Sequence, residues 1–311
     1  MAIPSGRSGH PLFDPGQRIK LGIFGSNVSN GCTISTAESS FRPTWEQNLA
    51  LARRAETLGV DLLVPVGRWK GFGGKTDFNG ECLEVYTWAA ALAAVTERSH
   101  RVATSHVPTV PPVVAAKQAA TIDHISGGRF GINVVCGWFT AEMEMFGVEP
   151  LPHDDRYGRA TAWIHVCKRL WQEQDVDWAG EYYTIKGGYL LPEPVQKPYP
   201  LLINAGISPA GIDHAAREMD VNFVIVQTLE LIGRIRARAA GYGRDIGIMT
   251  SAAVVCRRRE AEARAARDHI VAHGDRAAPD NLLTTFGVQS PSMDPAQARA
   301  LAERFIVGRG G

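Results

Sequence analysis

Cysteine is scarce: Cys32, Cys82, Cys136, Cys167 and Cys256 in 311 residues, odd in number, scattered and without any C-x-x-C spacing. That excludes a disulfide framework and fits a reducing cytoplasm. No His/Cys/Asp cluster has metal-ligand spacing, so no metal is expected. Charge of one sign is also lacking. With 33 Lys+Arg against 32 Asp+Glu the net charge is +1, too little to attract nucleic acid or an anionic membrane. No apolar run approaches the ~20 residues needed to span a bilayer. The first 18 residues, MAIPSGRSGHPLFDPGQR, hold no apolar stretch. They read as a flexible Gly/Pro-rich tail rather than a secretory signal. No G-x-G-x-x-G follows the first strand pattern, which disfavours a dinucleotide-binding open sheet.

What is present is alternation. The chain is 45% hydrophobic and 21% charged, enough for one large core. Residues 19–311 are expected to form a single domain. Strand patterns at Ile19–Phe24, Val60–Val66, Val102–His106, Phe130–Val135, Leu201–Asn204, Val221–Val226 and about Ile246–Val255 alternate with helical stripes. Thr44 opens the first helix, with Gln47 in capping-box position, a stripe of Trp45, Leu49 and Ala52, and Gly59 as the stop. Later stripes are Val85/Trp88/Ala89/Leu92, Ala115/Ala119/Ile122 and Trp163/Val166/Leu170. A small hairpin is inserted near 176–192. Seven β–α units predict an α/β fold of the TIM (β/α)8 type, active at the C-terminal ends of its strands. The last β/α unit is expected to be missing or incomplete. Phe305–Val307 is either a truncated closing strand or the point from which the natural chain continues, with closure by a partner as the other option.

Some residues invite chemistry on their own. Asn133 is an amide in a buried β-branched strand, costly unless its polar atoms are matched. Ser208-Pro209 opens a helix with the stripe Ile212, Ala215, Ala216 and Met219. Serine before proline is an ordinary N-cap; with Gly206 ahead of it, the same helix end can receive a phosphate. Gly73-Gly74-Lys75-Thr76 does not complete a phosphate-loop motif, because Trp69 stands where its first glycine belongs. A mobile loop over a pocket is expected instead. His106 ends a strand, either as a general base at neutral pH or simply hydrogen-bonded in place. The basic run at 257–269 reads as the solvated face of a helix.

AAKQAATIDHISGGR (115–129) resembles the signature of the bacterial-luciferase-like flavin monooxygenases. KGFGGKTDF (70–78), CGWFTAEMEMFG (136–147) and HDDRY (153–157) are similar to the pyrimidine oxygenase and dimethylsulfone monooxygenase subgroup. The resemblance covers residues 19–227. It implies that Val66, Gly67, Asn133, Glu142, Arg156, Tyr157 and Ser208 contact FMN, joined by Gly206 at the phosphate. It implies that Thr104 and Asn133 hold dioxygen beside the flavin. Trp138, too large to be casually exposed, reads by its own chemistry as an apolar wall of the site. Cys136 departs from the small hydroxyl residue expected there.

The activity implied is that of a two-component monooxygenase. A separate NAD(P)H-dependent reductase would supply reduced FMN, and O2 would oxygenate a small organic substrate with C–N or C–S bond cleavage. A pyrimidine-like heterocycle and a small sulfone are the two substrate expectations. Relatives self-associate, so a homodimer or homotetramer is expected. A deazaflavin-dependent oxidoreductase on the same fold is the alternative, against which Thr104 and Asn133 argue. A non-catalytic flavin-binding protein is another.

Overall fold

The computed structural model describes residues 4, 6–17, 19–38, 41–225, 228–275, 277–278, 281–282 and 284–285. In chain order the elements are β1 (Gly22–Phe24), α1 (Trp45–Leu58), β2 (Leu62–Val64), α2 (Val85–Ala93), β3 (His100–His106), α3 (Pro112–Ser126), β4 (Phe130–Val135), α4 (Thr140–Met145), α5 (His153–Gln172), β5 (Val176–Ala179), β6 (Thr184–Gly188), β7 (Leu201–Asn204), α6 (Pro209–Glu218), β8 (Val221–Val224), α7 (Leu229–Gly241), β9 (Gly247–Thr250) and α8 (Glu260–Ala272). Strands β1, β2, β3, β4, β7, β8 and β9 pair in that order, all parallel. β5 and β6 form the inserted antiparallel hairpin.

The sheet curls. Phe24 of β1 meets Phe223 of β8 edge-on, ring centroids 5.3 Å apart, although four strands lie between them in the sheet. The inward side chains Leu62, Val64, Val102, Leu201, Ile203, Val221 and Phe223 share one buried cluster, with Phe24 and Met249 against it. Outward side chains pack under the helices in a second, larger cluster. This is the barrel wall expected from repeated β–α units. Phe305–Val307, read as a truncated closing strand or as the point from which the chain continues, lies outside the described residues.

Local signals explain most boundaries. Thr44 Oγ1 accepts from the Gln47 N–H at 3.3 Å, and Gly59 ends α1 at φ 72°. Gly127 ends α3 in the same left-handed conformation, open to a residue without Cβ. The α1 stripe differs from expectation. Asn48, Ala52 and Ala55 are its buried residues, and Trp45 is exposed. Asn48 can enter the core because its amide is matched: it accepts from Trp88 Nε1 and donates to Thr44 O, both at 2.9 Å. β1 and β9 are shorter than expected. Ile19 and Leu21 precede β1 exposed, as Val254 does after β9. α8 buries no residue, as its charge pattern predicts.

The segment expected to be a flexible tail is docked from residue 7. Arg7 pairs with Asp220 at 2.6 Å, both buried, and donates to the carbonyls of Tyr199 and Pro200. Leu12 and Phe13, in a short 3-10 helix, join the inward cluster at the base of the barrel. Hydrophobic burial and a compensated ion pair hold down a segment that has no periodicity to read. Among the described residues, no helix is long and apolar enough to cross a membrane.

Candidate active site

The C-terminal strand ends gather the candidate residues. Thr104 and Asn133 are direct neighbours in the β3–β4 register. Side chains of one parity face the barrel interior, and both are buried. Thr104 Oγ1 donates to Pro65 O at 2.9 Å and accepts from Asn133 Nδ2 at 3.4 Å. Asn133 Oδ1 is buried without a partner. The hydroxyl's one proton is thus committed to Pro65, and Asn133 carries the spare polar capacity.

Gly67 lies against this pair. A Cβ there would come 2.9 Å from Thr104 O and 3.0 Å from Thr104 Cγ2, so only glycine fits the approach of β2 to β3. Val66 beside it is clamped by Asn27, which accepts from its N–H at 2.9 Å and donates to its carbonyl at 2.8 Å. The Val66 N–H is therefore not free for a ligand.

Glu142, on α4, is buried and turned toward the loop after β2. Its Oε1 accepts from Arg68 Nη1 at 3.2 Å, Trp69 N at 2.7 Å and Lys70 N at 3.3 Å. Its Oε2 lies 3.8 Å from His106 Nδ1. The Arg68 guanidinium is stacked among Phe72, Trp138 and Phe139 at 4.9, 5.1 and 5.6 Å from their ring centres. Burial lowers its pKa, and Glu142 opposes that shift. Sequence reasoning missed Arg68 and Asn27. A cation directly after a strand end was the available signal; its partner lies 74 positions away.

The Gly-rich loop is packed rather than free. Phe72 and Phe78 are buried with Ile34, Phe139, Ala278 and Leu282. Asp275 Oδ2 accepts from both the N–H and the hydroxyl of Thr76.

The phosphate candidates cluster at α6. Ser208 caps the helix, its Oγ accepting from Gly211 N at 3.1 Å and donating to Tyr157 Oη at 3.4 Å. A Cβ on Gly206 would fall 2.8 Å from Gly211 Cα and 3.0 Å from Tyr157 Oη; one on Gly211 would fall 2.7 Å from that same oxygen. Two glycines therefore keep a cradle open at a helix N-terminus beneath a tyrosine hydroxyl. Burial raises the Tyr157 pKa to about 12, so it stays a donor. Arg156 is placed differently from a simple phosphate fork. It donates to Leu151 O at 2.7 Å and Gly137 O at 3.2 Å, bracing the loop after β4. Cys136 is buried beside Asn204 and its thiol is pushed up to about 12 by burial, so it is protonated. Among the described residues, no group of three His, Cys, Asp or Glu side chains is placed to hold a metal ion.

Residues 19–308 match the profile of the luciferase-like monooxygenases. The chain belongs to that family. Among its relatives is the pyrimidine monooxygenase RutA of Bradyrhizobium sp. (strain BTAi1), 38% identical over 238 residues, 73% of this chain and 65% of that protein. The chain thus spans just under two-thirds of that relative's length. RutA of Escherichia coli (strain K12 / DH10B) is 36% identical over 92% of this chain and 76% of its own. Two solved structures share the fold. Long-chain alkane monooxygenase LadA has TM-score 0.79 at 19% identity, covering 92% of this chain and 78% of its own. DmoA from Hyphomicrobium sulfonivorans has TM-score 0.78 at 20% identity, covering 94% and 77%.

Proposed function

We propose that this chain is the oxygenase of a two-component FMN-dependent monooxygenase acting on a small organic substrate. A pyrimidine-like ring, opened at a C–N bond, is the substrate reading that the RutA relatives support; a small sulfone cleaved at C–S is the other. The observation that carries the proposal is the α6 cradle of Gly206, Ser208, Gly211 and Tyr157 on a barrel whose strand ends present Gly67, Thr104, Asn133 and Trp138.

The residues fit FMN. The dipole at a helix start favours a phosphate, and Tyr157, whose hydroxyl accepts from Ser208, keeps its own proton to donate. Asn133 Oδ1 is an orphaned buried acceptor, suited to a ring N–H. Glu142 sets Arg68 and the Trp69–Lys70 backbone against the aromatic wall. Bound reduced FMN would supply the electrons that activate O2. The protein's part is positional: Thr104 orients Asn133, Gly67 leaves room for close approach, and Trp138 with Phe139 excludes water.

A separate NAD(P)H-dependent reductase completes the system in this reading. Self-association to a homodimer or homotetramer and a cytoplasmic setting belong to it as well, the latter supported by five cysteines that are all free thiols. The test is titration with FMN, followed by oxygen uptake and product analysis with reduced FMN and candidate substrates. Tight flavin binding with substrate-dependent oxygen uptake is expected. Flavin binding without turnover on any heterocycle or sulfone would overturn the catalytic reading.

A further inference from the structure

His106 ends β3 with the inward parity of Val102 and Thr104. It is the residue common to the linings of two hollows at the strand ends, one walled by Gly67 and Thr104, the other by Gly137, Trp138 and Glu142. The positional chemistry above makes no use of it. Its Nδ1 faces Glu142 Oε2 at 3.8 Å. Its Nε2 faces Gly67, where a Cβ would approach to 3.2 Å. Burial, opposed by Glu142 and reinforced by Arg68, lowers its pKa to about 4, so the ring is neutral at pH 7. A neutral imidazole has one N–H and one lone pair, and a carboxylate only accepts. The proton therefore belongs on Nδ1, toward Glu142, and the lone pair on Nε2, toward the hollow beside Gly67 and Thr104.

We propose that His106 Nε2 accepts a hydrogen bond from an N–H or O–H of the substrate, so that the site selects small molecules carrying such a donor. The inference rests on the monooxygenase reading and narrows it. A pyrimidine-type ring with free N–H groups satisfies the acceptor. A dialkyl sulfone offers acceptors only and leaves Nε2 unmatched in a buried site.

Calorimetric binding in the presence of oxidised FMN separates the cases, with uracil, 1,3-dimethyluracil and dimethyl sulfone as ligands. The parent protein should prefer uracil over its dimethylated form by about tenfold, the range of one buried hydrogen bond. His106→Phe should abolish the preference by weakening uracil alone, and His106→Gln, which restores an acceptor, should recover part of it. Far-UV circular dichroism and FMN titration establish that each variant is folded. A preference that is absent in the parent, or unchanged in a folded His106→Phe, overturns the role of His106 while uracil binding leaves the pyrimidine reading standing. Binding of dimethyl sulfone without uracil, or of none of the three, overturns both.

Discussion

Asn133 Nδ2 donates to Thr104 Oγ1 at 3.4 Å, and the Thr104 hydroxyl in turn donates to Pro65 O at 2.9 Å. Three consecutive strand ends are thereby linked through one hydroxyl. In the proposed mechanism Thr104 would therefore act through Asn133, its own proton being committed to Pro65.

Thr104→Val keeps the shape and removes both bonds. FMN affinity should be unchanged. Hydrogen peroxide released per product formed should rise about 2- to 13-fold, the span of a lost neutral hydrogen bond of about 0.5–1.5 kcal/mol. The ratio of peroxide to product measures it, and an unchanged ratio would make Thr104 a strand residue only.

The barrel was legible because its signals are local. Gly59 and Gly127 stop helices, Thr44 and Ser208 start them, and the alanine stripe of α3 marks a buried face. The missed features all depend on partners far away in sequence. Asn48 is buried because Trp88 matches it. Leu12 and Phe13 are buried because the barrel has an open base to fill. Glu142 was expected as a flavin contact; its pairing with Arg68 could not be read from either residue. The family resemblance supplied positions; the bonds that Thr104, Val66 and Arg156 already make came only from the fold.

Ser208→Ala should weaken FMN binding and cost the α6 cap about 1 kcal/mol of stability. Flavin titration and thermal melting read the two effects separately. Unchanged affinity in the folded variant would place the phosphate elsewhere.

Gly67→Ala forces a methyl group to within 2.9 Å of Thr104 O and 3.0 Å of its Cγ2. Relief requires a shift of backbone at Thr104, beside Asn133. A loss of about 1–3 kcal/mol is expected, together with a drop in coupled product. Urea unfolding checks the first. A stability equal to the parent's would contradict the close approach of β2 and β3.

Acid should unfold the protein early. Burial lowers the pKa of His10, His106 and His214 to about 4 and of His100 to about 3. The unfolded chain binds those protons near pH 6.5. Between about pH 6.5 and 4 the unfolded state therefore holds more protons, so stability falls as pH falls, by at most about 1.4 kcal/mol per pH unit for each such histidine. It is fully present above pH 6.5. Urea midpoints at pH 7.5 and 5.0 measure this, and equal midpoints would contradict the buried neutral histidines.

Oxygen transfer by a flavin bound in the α6 cradle is the core of the proposed function. Its most direct measurement supplies the protein with enzymatically reduced FMN, uracil and 18O2, and analyses the product by mass spectrometry. One 18O atom in a ring-opened product is expected, with product formation that depends on both uracil and oxygen. Product without label, or conversion that proceeds equally well without oxygen, would contradict it.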